Sequence, residues 1–274
     1  MLIVAATLSW CRSAFLLSPF LPEKAMFNLA TNLKYVVKRI VPKSLMVSIR
    51  KMMINSKLKK YEQMGSNEAV FDKVYTDLTW QEGTDSESAS GDGSDGLWLD
   101  ETVKFLETEN LLSGRKVLEI GCGDFSFGSE VCHLAEHYTG VDVSTKIIGQ
   151  NKERYVDLPN VVFMQKDATE DSLPSADVVI IRQVLQHLPN AMIIKILDQV
   201  EQMEPQSVVV FEDVPSGEFE PNKDLRTAGP YTRHLYVSGV DLSKPPFSRD
   251  FKQTREWLHP KHPRVAAKLV CYQR

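Results

Sequence analysis

The feature that most constrains this chain is a short apolar run ending in two glycines, Val117-Leu-Glu-Ile-Gly-Cys-Gly-Asp-Phe125. In an α/β chain, a run of this kind predicts a buried first strand that feeds a sharp turn. Because glycine has no Cβ atom, the turn Gly121–Gly123 would let backbone N–H groups approach a ligand. We therefore expect a nucleotide-like cofactor at this turn.

The segments around the turn alternate between strand-like and helix-like patterns. Strands rich in valine and isoleucine are predicted at 116–120, 138–143, 161–165, 176–181, 207–212 and 265–272. Helices are predicted at 127–136, 145–155 and 191–203. This βαβα order predicts an α/β, Rossmann-like fold with a mostly parallel seven-stranded sheet, helices on both faces and a ligand crevice at the carboxyl ends of the strands.

Charge is distributed unevenly along the 274 residues. Residues 1–60 hold eleven of the 32 basic side chains and one of the 36 acidic ones. Their net charge is therefore about +10 and that of the remainder about −14, which argues against nucleic acid as a partner of the main domain. We predict that this basic, partly hydrophobic extension is an organellar transit segment or a membrane-associated helix or anchor, with a folded helical cap and a secretory signal as alternatives. Arg12 opposes a simple membrane span.

The remainder divides by composition into a connector and a main domain. Residues 61–96 are predicted to be a connector that ends in an acidic Ser/Gly-rich loop, 81–96. An alternative for that loop is a lid that orders over the cofactor. Residues 97–274 form the predicted catalytic domain, in which 214–264, rich in Pro, Tyr, Arg and His, is an insertion that covers the acceptor site.

The four cysteines are scattered, with neither a Cys-x-x-Cys pair nor a nearby His spacing. This pattern predicts no metal site and favours free thiols in a reducing intracellular compartment. Cys122 lies in the glycine turn without a basic neighbour that would lower its pKa, so we interpret it as a small turn residue rather than a nucleophile.

Acidic residues stand at the ends of three successive predicted strands. Glu119 precedes the glycines, Asp142 ends the second strand and Asp167 follows the third. An acid at the end of the second strand is placed to accept hydrogen bonds from ribose hydroxyls. Since these strand ends meet in one crevice, the three carboxylates indicate a single nucleotide site.

With these residues the chain resembles the class I S-adenosylmethionine-dependent methyltransferases over roughly residues 97–213. The resemblance rests on four motifs, Glu119-Ile-Gly-Cys-Gly-Asp124, Gly140-Val-Asp-Val143, Lys166-Asp-Ala168 and Val184-Leu-Gln-His-Leu-Pro189. The chain is similar, more narrowly, to a sparsely characterised group with Gly-Cys-Gly-Asp-Phe or Gly-Cys-Gly-Asp-Trp in the turn. That group also tends to show the Ser/Gly-rich, Asn-x-Asp and Asp-Leu-x-x-Pro-Pro-Phe motifs found here at 88–94, 222–224 and 241–247.

The resemblance implies that the glycine turn holds the amino-acid end of S-adenosylmethionine, with Glu119 near its ammonium group. Asp142 would bind the ribose hydroxyls, and Asp167 with Ala168 would flank the adenine. The predicted cofactor-binding residues are Glu119, Gly121, Cys122, Gly123, Asp142, Asp167, Ala168 and Arg182. Phe125 replaces the usual third glycine, which departs from the broad family pattern and fits the narrower group.

A charge argument points to the same cofactor. An acid just before the turn would repel a pyrophosphate, whereas it suits a ligand that carries a sulfonium and an ammonium group. The position of Glu119 therefore favours S-adenosylmethionine over a nicotinamide dinucleotide.

Two residues are candidates for proton transfer. His187 follows the fourth strand near the expected acceptor, and an imidazole titrates near neutral pH, although His187 could instead cap or pack its turn. Asp213 ends the fifth strand, with a solvated loop carboxylate as the alternative. Arg182 and Gln183 stand at the end of the fourth strand, where they would bind the cofactor or the acceptor.

Together these features predict methyl transfer from S-adenosylmethionine to an oxygen or nitrogen of a small molecule or glycan by in-line displacement. One alternative is a nicotinamide-dependent oxidoreductase or epimerase, which would bind NAD(P) instead. The other is a non-catalytic cofactor-binding module held at a membrane by residues 1–60.

Overall fold

The computed structural model describes residues 58–80, 97–249, 252–262 and 265–273, together with Met52 and Ser56. Residues 58–274 form one compact unit. Most of the basic extension and the acidic segment 81–96 lie outside the described residues, so what we expect of them stays a prediction. Within the described residues, no helix has the length and apolar character needed to cross a membrane.

Strands and helices alternate along the compact unit. The strands are β1 (Lys116–Ile120), β2 (His137–Asp142), β3 (Val161–Gln165), β4 (Val178–Arg182), β5 (Ser207–Pro215), β6 (Lys252–His262) and β7 (Val265–Gln273). The α-helices are α1 (Asn67–Thr76), α2 (Leu97–Thr108), α3 (Ser126–Val131), α4 (Thr145–Arg154) and α5 (Asn190–Met203). Short 3₁₀ turns occupy Cys132–Leu134, Leu185–His187 and Arg233–Tyr236.

The strands form one seven-stranded sheet in the order β3-β2-β1-β4-β5-β7-β6. The first five strands in this order run parallel, while β7 is antiparallel to both of its neighbours. The sheet is therefore mixed, and the expected Rossmann-like α/β fold is present. From β1 the chain first builds outward to β2 and β3 and then returns to β4. The crevice between β1 and β4 is the position at which open α/β sheets bind ligands.

Each face of the sheet carries its own apolar core. Along β4, which is buried throughout, Val178 and Ile180 pack into the core on one face, and Val179 and Ile181 into the core on the other. Successive side chains of a strand point to opposite faces, so a continuous run of valine and isoleucine fits a strand covered on both sides. Helix α5 covers the second face with four buried apolar residues, Ile193, Ile196, Leu197 and Val200.

The segment predicted as a connector contains an ordered helix. Helix α1 begins after Ser66, whose hydroxyl accepts a hydrogen bond from the Ala69 N–H, as expected of a helix N-cap. Asp72 of α1 accepts hydrogen bonds from the Ser144 hydroxyl and the Lys146 N–H at the start of α4. The part of the connector that precedes the acidic loop is thus packed on the main domain.

The segment predicted as an insertion is shorter than 214–264. Strand β5 continues to Pro215, and β6 occupies Lys252–His262. Strand β6 was not predicted because it is an edge strand with charged side chains, a proline and two irregularities in its pairing with β7. Residues 216–251 connect the two strands.

Candidate active site

A cleft of about 350 Å³ lies at the carboxyl ends of the parallel strands. This volume falls within the range of small-molecule sites. Eight of the ten predicted site residues line the cleft, namely Gly121, Gly123, Asp142, Asp167, Ala168, Arg182, His187 and Asp213. The other two, Glu119 and Cys122, are buried and do not line it.

The amides of the glycine turn are bonded within the protein. The N–H groups of Gly121 and Cys122 donate to the Val141 carbonyl at 2.8 and 3.0 Å, and the Gly123 N–H donates to Asp142 Oδ2 at 3.1 Å. Our expectation that these groups approach a ligand is therefore wrong, because β2 and its terminal carboxylate already use them. A turn with its amides engaged lacks the donors that a pyrophosphate site provides.

Gly121 fits its position because it lacks a side chain. Its φ of +72° belongs to the left-handed region, and a Cβ atom built on it would lie 2.2 Å from Cγ2 of Val184. Val184 itself lines the cleft. Both the backbone conformation and the close approach of β4's loop therefore require glycine here.

Phe125, which stands where the family pattern has a third glycine, points away from the cleft. Its side chain is fully buried, with its ring centroid 5.5 Å from that of Tyr138, 5.1 Å from that of Tyr155 and 4.7 Å from that of Phe163. Its φ of +61° lies in the left-handed region, which a glycine adopts without strain. A Cβ on Gly128 would lie 2.0 Å from the Phe125 ring, so the ring fills space that a larger residue at position 128 would need.

Asp142 closes β2 at the edge of the cleft. Its two oxygens accept hydrogen bonds from the Gly123 N–H and, at 2.9 Å, from the Ser144 N–H, and the Tyr75 hydroxyl is also bonded to it. Burial raises the pKa of this carboxyl to about 6, while these hydrogen bonds act in the opposite direction. The carboxylate is thus held rigidly where ribose hydroxyls were expected.

Glu119 is buried behind the turn. The Tyr138 hydroxyl donates to its Oε2 at 3.0 Å, but Oε1 has no hydrogen-bond partner among the described residues. Burial raises the pKa of Glu119 to about 7, and the positive charge of Arg182 acts against this rise. A buried carboxylate with an unpartnered oxygen is stabilised by a cation nearby.

Helix α1 meets the cleft where the adenine was expected. The Asn67 amide donates to Asp167 Oδ2 at 2.9 Å and to the Thr169 hydroxyl at 3.2 Å. Asp167 also accepts the Thr169 N–H at 2.9 Å. Asn67, Asp167 and Ala168 line one wall of the cleft, so part of the predicted connector contributes to the site.

The ends of β4 and β5 form the opposite wall. The guanidinium of Arg182 lies over the Phe127 ring, 5.0 Å from its centroid. Gln183 has a left-handed φ of +55°, and its amide donates to Asp213 Oδ1 at 3.2 Å. The Asp213 N–H in turn donates to Gln186 Oε1 at 3.0 Å. Left-handed backbone at a non-glycine residue often marks a functional site.

His187 lines the cleft as a neutral imidazole. Its Nδ1 lies 3.0 Å from the Gly229 carbonyl oxygen, which can only accept, so Nδ1 carries the proton. Its Nε2 lies 3.4 Å from the Gln186 amide nitrogen. Burial lowers the pKa of His187 to about 4. The prediction that His187 acts as a base assumed that its imidazole titrates near neutral pH. The lowered pKa does not agree with that assumption.

Glu212 holds the loop that carries His187. Its carboxyl oxygens accept the N–H groups of Val184, Leu185 and Gln186 at 3.1, 2.8 and 3.0 Å. Burial raises the pKa of Glu212 to about 8 despite these bonds. Sequence reasoning missed this residue because nothing in a strand sequence shows that its side chain will cap the neighbouring loop.

Aromatic side chains surround the remaining part of the cleft. The ring centroid of Trp80 lies 5.3 Å from those of Tyr75 and His187 and 6.2 Å from that of Phe71. Its indole N–H donates to the Pro230 carbonyl at 3.3 Å, which joins the segment after α1 to the segment after β5. Tyr231 also lines this part. Tyr231 belongs to the segment predicted to cover the acceptor site, whereas Phe71, Tyr75 and Trp80 were not predicted; the helical spacing of apolar residues over 70–75 was the available signal.

Comparisons with known proteins agree with this geometry. Residues 118–203 match a family model described as a methyltransferase domain. Phosphoethanolamine N-methyltransferase 1 from Arabidopsis thaliana is 35% identical over 97 residues, which are 33% of this chain and 19% of that protein. The chain thus spans about a fifth of the curated relative that it matches. The central part of the chain is therefore similar in sequence to methyltransferase domains.

Two solved structures share the fold. The N-methyltransferase NodS from Bradyrhizobium japonicum, in complex with S-adenosylhomocysteine, aligns with a TM-score of 0.55 and 15% identity over 73% of this chain and 98% of its own. Magnesium protoporphyrin IX methyltransferase from Synechocystis, with bound S-adenosylmethionine, aligns with a TM-score of 0.53 and 16% identity over 74% and 93%. At these identities the similarity shows the fold of this chain.

Proposed function

We propose that this chain transfers the methyl group of S-adenosylmethionine to an oxygen or nitrogen of a small molecule. The observation that carries the proposal is the chemistry of the glycine turn. Its amides are engaged by β2, and the charges of three carboxyl groups, Glu119, Asp124 and Asp142, act on Cys122 within the turn. Such a site disfavours a pyrophosphate and suits a ligand end that carries positive charge.

The residues present fit this cofactor. Oε1 of Glu119 is a carboxylate oxygen without a hydrogen-bond partner among the described residues, and a nearby ammonium or sulfonium charge would stabilise it. Gly121 and Gly123 would lie against the amino-acid end, Asp142 would accept the ribose hydroxyls, and Asp167 with Ala168 would flank the adenine. The names of the relatives above, which describe methyltransferases, support the same assignment.

When bound, the cofactor supplies an activated methyl group: the acceptor's lone pair forms the new bond as the carbon–sulfur bond breaks and its electron pair returns to sulfur. The protein's part is then to align the acceptor and to exclude water. Gln183, His187 and Asp213 lie at the cleft wall formed by β4 and β5, where they can orient the acceptor. Because burial lowers the pKa of His187 to about 4 and its Nε2 faces the Gln186 amide, His187 would position the acceptor rather than remove its proton.

Further proposals concern the rest of the chain. We keep the proposal that residues 1–60 act as a targeting or membrane-associated segment, on the basis of their charge of about +10. A reducing intracellular compartment is supported by three buried free cysteines, Cys122, Cys132 and Cys271. A glycan acceptor rests on the sequence analysis alone.

A turnover assay tests the proposed activity. The purified full chain is incubated with S-adenosylmethionine and a panel of amines and alcohols, and S-adenosylhomocysteine is quantified. We expect acceptor-dependent formation of S-adenosylhomocysteine, reduced at least tenfold in Asp142→Ala. Cofactor binding without turnover across the panel would favour the non-catalytic alternative, and binding of NAD(P) instead would favour the oxidoreductase.

A further inference from the structure

The aromatic part of the cleft adjoins the proposed cofactor site and extends towards β4 and β5. Tyr75 is bonded to Asp142 and contacts Trp80, whose ring lies 5.3 Å from that of His187, after β4. Tyr231 lines the cleft from the segment after β5. The Trp80 ring is fixed by its hydrogen bond to the Pro230 carbonyl and by its contacts with Tyr75 and Phe71. We call this aromatic part the acceptor end.

Asp213 is the acid of the acceptor end. Among the described cleft-lining residues that follow Arg182 in the chain there is neither lysine nor arginine, and the titratable bases are His187 and His234, the latter bonded to the Thr232 hydroxyl. The lining residues of the segment before the main domain, Asn67, Phe71, Tyr75 and Trp80, are uncharged. His187 is a neutral imidazole at physiological pH because burial lowers its pKa to about 4.

This combination discriminates between classes of acceptor. A carboxylate or phosphate acceptor would be placed beside the negative charge of Asp213, while the cleft-lining Arg182 lies over the Phe127 ring and its charge acts on Glu119. A neutral alcohol would gain little from the aromatic faces beyond contact area. A cation is attracted by the π-electrons of tryptophan and tyrosine rings and by a nearby carboxylate.

From this arrangement we infer that the methyl acceptor is an amine, whose ammonium form is held by the Trp80 ring with Asp213 supplying the negative charge. The inference rests on the proposed function and narrows it. The bound ammonium form first releases one proton to solvent. The free amine then attacks through its lone pair, the carbon–sulfur bond breaks with its electron pair returning to sulfur, and the nitrogen becomes an ammonium ion again on methylation. The acceptor end would hold this charged product as well, so N-methylated amines should bind it.

A pair of isosteric probes tests the inference without turnover. Choline carries a quaternary ammonium, and 3,3-dimethylbutan-1-ol has the same shape with carbon in place of nitrogen. Each is titrated by calorimetry into the full chain saturated with S-adenosylhomocysteine, whose sulfur is uncharged. We expect choline to bind about tenfold more tightly than its neutral isostere.

Variants of Trp80 separate the contribution of its aromatic ring from that of its indole hydrogen bond. Trp80→Leu should bind the two probes equally, whereas Trp80→Phe, which also lacks the indole N–H, should keep most of the preference. Trp257→Leu is the matched control, since Trp257 of β6 is half-buried and does not line the cleft. Equal binding of the probes by the wild type, a preference that survives in Trp80→Leu, or no binding of choline would each overturn the inference. Failure of S-adenosylhomocysteine itself to bind would instead contradict the proposed function.

Discussion

Gly121 is the residue at which the cleft tolerates least change. Its left-handed φ and the 2.2 Å approach of a Cβ to Val184 mean that any side chain shifts both the turn and the β4 loop. We predict that Gly121→Ala lowers the free energy of unfolding by about 1–3 kcal/mol and weakens S-adenosylhomocysteine binding at least tenfold, as measured by calorimetry and denaturant titration.

Gly149 offers a matched control for that change. It lies within α4, has no left-handed φ, and a Cβ on it would meet nothing within 4 Å. Gly149→Ala should therefore raise the free energy of unfolding by about 0.5–1 kcal/mol and leave cofactor affinity unchanged. If the two variants lose affinity equally, the role assigned to Gly121 is wrong.

Glu119 makes cofactor binding depend on protonation. Burial raises its pKa from 4.5 to about 7, so the folded state holds a proton that the unfolded state has released, and unliganded stability falls as pH rises through this window. A bound cation lowers this pKa. We predict that S-adenosylmethionine binding at about pH 6.5 releases protons, which calorimetry in buffers of different ionisation enthalpy can measure.

Two comparisons sharpen this prediction. Glu119→Gln should release fewer protons than the wild type. The protons that this variant still releases would come from Asp142, whose pKa is about 6. S-adenosylhomocysteine, which lacks the sulfonium charge, should release fewer protons than S-adenosylmethionine. Proton uptake on binding, or release unchanged in Glu119→Gln, would show that Glu119 does not respond to the ligand's charge.

At the level of elements, the junction between β1 and α3 depends on Phe125. Changing Phe125→Gly would restore the family's third glycine and relieve a left-handed φ, but would leave a cavity among Tyr138, Tyr155 and Phe163. We predict a net loss of about 3 kcal/mol in the free energy of unfolding, because the cavity outweighs the backbone gain. Since Phe125 does not line the cleft, S-adenosylhomocysteine affinity of the folded variant should stay within about threefold. A stabilised variant would contradict this account.

The parallel part of the sheet could be predicted because its information is local. Strands β1, β3, β4 and β5 are rich in valine and other apolar residues, and the acids Asp142 at the end of β2 and Asp167 after β3 follow from their positions. Edge strand β6 could not be found in this way, since its charged side chains hide the pattern. The hydrogen-bond partners of the amides in the glycine turn could not be predicted either, because they depend on how β2 pairs with β1.

The parts of the cleft wall that depend on contacts between residues far apart in the sequence could not be predicted either. Trp80 reaches the site only because α1 packs on α4 and because the Pro230 carbonyl accepts its N–H. Neither contact has a signature in the sequence around Trp80. Residues 222–224 and 241–247, two motifs of the narrower group within the segment predicted to cover the acceptor site, do not line the cleft; Asn222 of the first motif bonds to residues of the second.

On the scale of the whole molecule, the segment between β5 and β6 is part of the core. Leu225, Val240, Leu242 and Phe247 are buried, and Arg233 is fully buried with its guanidinium donating to the carbonyls of Lys223 and Leu188. A deletion within this segment would therefore remove core residues and could not test substrate choice alone. A point change at the hub of this segment is more informative.

Asn222 is that hub. Its amide nitrogen donates to the carbonyls of Asp241, Lys244 and Pro245 at 2.8, 3.2 and 3.0 Å, and its Oδ1 accepts the Asp241 N–H at 2.8 Å. We predict that Asn222→Ala lowers the free energy of unfolding by about 2–4 kcal/mol, since four partners lose their bonds. Asn160→Ala, which loses two amide-to-carbonyl bonds elsewhere, should have a smaller effect. Equal effects in denaturant titration would show that Asn222 is not a hub.

Cofactor binding by the full chain is the most direct test of the central claim. Calorimetry should show S-adenosylhomocysteine binding at one site, no competition by NAD, and at least tenfold weaker binding in Asp142→Ala and in Glu119→Ala. Asp157→Ala, at an exposed loop position, should bind like the wild type. Absence of S-adenosylhomocysteine binding, or unchanged affinity in both Asp142→Ala and Glu119→Ala, would contradict the account.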